Sequence, residues 1–120
     1  LYRVQLSKLT APLAITLGDP AGIGPEVILG AWSRLRAQGL MPPCFVVGGP
    51  ELLRGTAEAL RIDGPIVPIA DPAEALFASA AGLPVLAGLD DRSSPGHPTP
   101  VGARLALASL QWGAKLALSG

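Results

Sequence analysis

Short apolar runs alternate along this chain with stretches whose apolar residues recur every three or four positions. The first run, Pro12 to Leu17 (Pro-Leu-Ala-Ile-Thr-Leu), ends at Gly18 and predicts a buried strand. Gly18 to Gly24 reads as a turn-rich loop. Pro25 then stands where a first helical residue should be, with Glu26 beside it, and Gly39 closes the element; proline at the start and glycine past the end delimit a helix. Its predicted buried stripe is Val27, Ile28, Ala31 and Leu35. Cys44 to Val47 predicts a second buried strand, ended by Gly48-Gly49, and Pro50 to Leu60 a helix with Leu52, Leu53, Ala57 and Leu60 at helical spacing. Pro65 to Ile69 is a third strand, weakened by Pro68. Asp71-Pro72-Ala73-Glu74 reads as a helix start with Asp71 as cap. Leu83 to Leu86 is a fourth strand. A polar loop, Asp90 to Pro100, leads to a long helix from Pro100 to about Leu118, capped by Thr99, with Leu105, Ala108, Trp112 and Leu116 on one face.

Strand, helix, strand, helix predicts an α/β fold with a mostly parallel sheet and flanking helices. With 120 residues, one domain is expected: 1–10 as an N-terminal extension and 11–120 as a partial α/β domain. Hydrophobic residues make up 49%, enough for a core, although only 4% are aromatic. Nine basic residues balance nine acidic ones, so neither nucleic acid nor an anionic membrane is an expected partner. Cys44 is the one cysteine and His97 the one histidine, which disfavours a disulfide framework and a self-contained His-based metal centre. No apolar window reaches about eighteen residues, so no transmembrane helix is expected. The opening residues lack a cleavage pattern, and the protein is expected to be cytoplasmic.

Chemistry concentrates in Gly18-Asp19-Pro20-Ala21-Gly22-Ile23-Gly24-Pro25-Glu26. The segment follows the first strand, at the carboxyl edge where open α/β sheets bind ligands. Glycines let backbone approach a ligand, and free amides of the following helix can hold an anion. Asp19 and Glu26 can accept hydrogen bonds from hydroxyl or ammonium groups, while their charge opposes phosphate. Asp19, Gly22, Gly24 and Glu26 are the candidate site residues. A Cβ at Gly24 is expected to push backbone from a ligand or to strain a positive φ. The spacing of Gly18, Gly22 and Gly24 is not the dinucleotide fingerprint, and no Walker lysine follows. From these residues alone, a functional loop and a tight structural turn both remain open.

Gly-Asp-Pro-Ala-Gly-Ile-Gly-Pro-Glu after Ile-Thr-Leu resembles the opening motif of the PdxA family, the 4-hydroxythreonine-4-phosphate dehydrogenases. It resembles more distantly the opening of isocitrate and isopropylmalate dehydrogenases. Val46-Val47-Gly48, Pro50-Glu51-Leu52-Leu53 and the helix Gly102 to Gly120 fit the same family. The resemblance covers roughly Leu13 to Gly120, about the first third of a member. It implies the N-terminal fragment of a two-domain, isopropylmalate-dehydrogenase-like fold with its active site between domains. It implies NAD and a divalent metal (zinc, magnesium or cobalt) as cofactors, and a small phosphorylated substrate, 4-phosphohydroxy-L-threonine. This substrate is oxidised and decarboxylated in the biosynthesis of pyridoxal phosphate, vitamin B6. The metal polarises the substrate hydroxyl, and hydride passes to the nicotinamide. A homodimer is implied for the full-length protein.

The family's metal-binding histidines, Gly-His-Thr motif and phosphate-binding basic residues lie beyond the matched stretch, so no catalytic or metal residue is carried onto this chain, which alone is expected to be inactive. Gly96-His97-Pro98-Thr99 is not that motif: it precedes the long helix, and Pro98 interrupts it. His97 is expected to be an exposed loop residue, Asp90-Asp91-Arg92 a solvated turn, Cys44 a core residue and Trp112 a core or interface residue. Arg34, Arg36, Arg54 and Arg61 are spread over different elements and form no phosphate clamp by sequence. Two rival readings are a non-catalytic α/β module holding a small anion at the glycine loop, and a dehydrogenase of another phosphorylated four-carbon hydroxy acid.

Overall fold

A computed structural model of the protein describes residues 11–18, 22–88 and 100–118. Its strands are β1 (Leu13–Thr16), β2 (Cys44–Val47), β3 (Ile66–Ile69) and β4 (Leu83–Leu86). Its helices are α1 (Gly24–Ala37), α2 (Pro50–Leu60), α3 (Ala75–Ala78, preceded by a 3₁₀ turn at Pro72–Glu74) and α4 (Pro100–Leu118). All pairings are parallel and the strand order is β1-β2-β4-β3. The α/β fold with a parallel sheet and flanking helices is therefore present.

Local signals explain most boundaries. Pro25 sits in the first turn of α1, where a missing N–H costs nothing. After Ala37 the chain turns at Gly39, with Leu40 N–H donating to the Leu35 carbonyl. Asp71 caps as expected: its carboxylate accepts from Ala73 N–H at 2.8 Å, and Glu74 accepts from Asp71 N–H at 2.9 Å. Pro68 is tolerated because β3 is a flanking strand in the described sheet. Pro84 lies inside central β4, yet the β2–β4 pairing begins only at Val46 and Val85, past the proline.

Two apolar layers cover the sheet. On one face Leu29 and Trp32 of α1 and Leu52, Leu53 and Ala57 of α2 pack with Val46, Ile66, Leu83 and Val85. On the other, Ala75 and Ala78 of α3, with Trp112 and Leu116 of α4, pack with Phe45, Val47, Ile69 and Leu86. The side chains of each strand alternate between the layers, as the pleat requires. Cys44 is buried in the sheet and Trp112 packs against the second layer, in line with their expected core roles.

Four expectations about burial are corrected. β1 is not a buried strand: Leu13 is 42% exposed, and Ala14 and Thr16 are exposed too. Among the described residues it has a partner strand on one side only, so its apolar sequence lacks the second neighbour that buries β2 and β4. The buried stripe of α1 is Pro25, Leu29 and Trp32, one position round from the predicted one, and Val27 is exposed. Turning the helix this way places its largest apolar side chain, Trp32, in the core. In α4 the buried positions are Gly102, Leu105, Ser109 and Gly113; Leu105 of the predicted face is among them, while Ala108, Trp112 and Leu116 are only half-buried, Trp112 and Leu116 packing on the second layer. The helix lies so close to β1 that a Cβ on Gly113 would stand 2.8 Å from Thr16 Cγ2. Leu60 of α2 is also more exposed, at 42%, than its spacing suggested.

Candidate functional site

The chain leaves β1 through Leu17, which is fully buried, and turns at Gly18. Gly18 has φ +75°, a left-handed conformation that glycine adopts without steric cost. A Cβ there would lie 3.6 Å from Gly24 Cα, so the two glycines close the base of the loop. The loop thus leaves and re-enters the fold at one place, on the carboxyl edge of the sheet, with α1 starting at Gly24.

Gly22, Gly24 and Glu26 are half-buried at that start, while Ile23 between the glycines is 72% exposed. Asp19, with Pro20 and Ala21, lies outside the described residues. Gly24 is the first helical residue, and the positive φ belongs to Gly18 instead. The expected backbone strain therefore sits one end of the loop earlier. Among the described residues no side chain caps α1; Ile23 precedes it, and its carbonyl accepts from Val27 N–H at 2.9 Å. The N-cap side chain thus leaves the first-turn amides unsatisfied, and the Glu26 carboxylate lies in the same turn, where the helix dipole favours negative charge. The arrangement offers backbone donors and one carboxylate acceptor side by side. It suits a ligand with both hydrogen-bond acceptors and a hydroxyl or ammonium donor.

The neighbouring strand end is built alike. β2 ends at Gly48-Gly49 before Pro50 opens α2. Gly49, φ +81°, packs on the loop's anchor: a Cβ there would meet Leu17 Cδ2 at 3.1 Å. One residue that the sequence reading missed ties these ends together. Ser109 of α4 is fully buried; its Oγ accepts from Leu17 N–H at 2.9 Å and donates to the Val47 carbonyl at 2.7 Å. The available signal was a lone hydroxyl in a helical stripe of small residues, Gly102, Ser109 and Gly113.

Arg54 pairs with Glu51 on α2, and Arg36 lies 5.0 Å from the Trp32 ring centroid. A cavity of about 560 Å³, lined in part by Arg54, Glu58, Arg61 and Asp63, lies before β3, at the opposite edge of the sheet from the loop, and mixes both signs of charge. Among the described residues no three His, Cys, Asp or Glu side chains are grouped to hold a metal ion. His97, Thr99 and Asp90-Asp91-Arg92 lie outside the described residues. Among the described residues, no helix is long and apolar enough to cross a membrane.

Comparison with known proteins agrees with the fold and with the resemblance stated above. No protein-family model matches the chain. The 4-hydroxythreonine-4-phosphate dehydrogenase of Erythrobacter litoralis is 50% identical over 109 residues, which are 91% of this chain and 32% of that protein. The Zymomonas mobilis protein of the same name is 38% identical over 110 residues, 91% of this chain and 31% of that protein. A solved Salmonella typhimurium structure, assigned as a 4-hydroxythreonine-4-phosphate dehydrogenase, superimposes with a TM-score of 0.77 at 32% identity, over 92% of this chain and 35% of that one. The Burkholderia phymatum enzyme of that name has the same fold, with a TM-score of 0.74 at 24% identity, over 94% of this chain and 34% of that one. The chain spans about a third of the length of the curated relatives it matches. Over nine-tenths of its own length it is a homologue, in sequence and in fold, of one third of a 4-hydroxythreonine-4-phosphate dehydrogenase.

Proposed function

We propose that this chain is the N-terminal third of an NAD-dependent, divalent-metal-dependent dehydrogenase that oxidises and decarboxylates 4-phosphohydroxy-L-threonine on the route to pyridoxal phosphate. The parent protein is a cytoplasmic homodimer in this reading. The observation that carries it is the 50% identity over 109 residues to a protein named for that activity. The loop's position at the carboxyl edge of a parallel sheet supports it independently, because that edge is where open α/β sheets hold ligands. This chain's own part is binding and orientation. Gly18 and Gly24 close the loop, first-turn amides of α1 donate to substrate or cofactor oxygens, and Glu26 and Asp19 accept from its hydroxyl or ammonium groups.

The test uses the protein expressed from the whole reading frame that contains this chain. With NAD, a divalent metal and phosphohydroxythreonine it should form NADH, and the 120-residue chain by itself should form none. A full-frame protein that folds, takes up metal and makes no NADH overturns the reading. Asp19→Asn then separates site from turn. It keeps size and removes charge, so kcat/KM should fall at least about tenfold, equivalent to about 1.4 kcal/mol of transition-state binding, with little change in Tm. Stability lost with kinetics intact would make Asp19 a turn residue.

A further inference from the structure

The β1–β2 ladder ends in an unusual way. Parallel rungs recur every second residue. Leu13 N–H donates to the Pro43 carbonyl at 2.9 Å, and the strands stay in register up to Thr16 and Val47. By that period Leu17 N–H and the Val47 carbonyl are the partners of the last rung. Ser109 Oγ stands between them, accepting from the first and donating to the second. Ladders elsewhere in the sheet close directly: Gly48 N–H reaches the Leu86 carbonyl at 3.1 Å, and Ala87 N–H reaches the Ile69 carbonyl at 2.8 Å. Among the described residues, only where the glycine loop departs is a side chain from a distant helix built into the rung. All three groups are fully buried, so water does not replace the hydroxyl without rearrangement. Gly113, one turn further along α4, permits the close approach: its missing side chain leaves room for Thr16.

We propose that Ser109 is a positioning residue for the Gly18 to Glu26 loop. Its hydroxyl holds the carboxyl ends of β1 and β2 apart and fixes the direction in which Leu17 hands the chain to Gly18. Without it, Leu17 N–H and the Val47 carbonyl either close on each other or stay unpaired, and either outcome moves the stem of the loop. That the loop serves a substrate rests on the function proposed above; that Ser109 sets the loop's conformation does not.

The test compares Ser109→Ala and Ser109→Thr in the full-frame protein by amide hydrogen exchange and by kinetics. In Ser109→Ala the amides of Leu17, Gly18, Gly22, Ile23, Gly24 and Glu26 should exchange at least about tenfold faster, while β3 and β4 keep their protection. Ser109→Thr retains the hydroxyl and should return those amides toward wild-type rates. The Ala variant should also lose kcat/KM at least about tenfold, and the Thr variant should recover much of it. Uniform loss of protection, global unfolding of the Ala variant, or a Thr variant as labile as the Ala one would show a plain structural brace and overturn the proposal. If the exchange pattern holds while the wild type makes no NADH, the positioning role stands and the function proposed for the loop falls.

Discussion

β1 and β4 are close to the same strand in composition, Leu-Ala-Ile-Thr against Leu-Pro-Val-Leu, yet they live in different solvents. Every residue of β4 is buried, between β2 and β3 and under both apolar layers. β1 has β2 on one side, and three of its four residues are exposed. Apolar content therefore says that a strand is to be buried. The number of neighbours decides whether it is. An apolar flanking strand is also an open template for further pairing, which among the described residues β1 leaves unfilled on one side.

The largest expected difference comes from truncating matched leucines. Leu83 is fully buried and packs in the first core layer, so Leu83→Ala should cost about 2–5 kcal/mol. Leu13→Ala, at a 42% exposed position, should cost less than about 1 kcal/mol. Urea unfolding midpoints of the two variants measure this directly. Equal losses would mean that β1 is covered in the protein as it exists, and the contrast between the strands would disappear.

A charge sharpens the comparison further. In the isolated 120-residue chain, concentration-dependent association through β1 is expected, readable by sedimentation velocity. Leu13→Lys should reduce it while leaving the helical circular dichroism signal unchanged, because charged side chains on flanking strands discourage pairing. Association that is insensitive to Leu13→Lys would place the adhesive surface elsewhere.

The smallest effect belongs to Cys44, at the start of β2. Burial pushes its thiol up from 9.0 to about 11. The unfolded thiol ionises first, so the folded state keeps its full advantage below about pH 9 and loses it as pH rises toward about 11. Alkylation at pH 8 should be slow in the folded protein and rapid in urea. A Cys44→Ala variant should lack the extra fall in stability across that alkaline window. Fast alkylation of the native protein would show that the amino ends of the central strands open readily.

Much of the molecule was legible along the chain. Pro25, Gly39, Asp71 and Pro72 act within a turn of where they stand, and each marked its boundary correctly. The glycine loop was legible too, because Gly18 and Gly24 stand at its two ends. Burial faces were harder to read. Val27, Ile28, Ala31 and Leu35 form as good a stripe on paper as Pro25, Leu29 and Trp32, and only the shape of the facing sheet chooses between them. In α4 Leu105 is buried as its spacing suggested and Trp112 and Leu116 are half-buried, but the closest approach to the strands is made by Ser109 and Gly113, which apolar spacing does not mark.

The sequence by itself determined the order of strands and helices, their caps and the position of the loop, because propensity, capping and turn chemistry act over a few residues. Tertiary structure alone decided the rest. The order β1-β2-β4-β3 places Val46 beside Val85, and that contact makes β4 central and leaves β1 on the flank. The closing rung of the first ladder joins Leu17, Val47 and Ser109, residues separated by up to 92 positions. No local pattern encodes such a meeting; it exists only once the whole sheet has formed and α4 has packed across it.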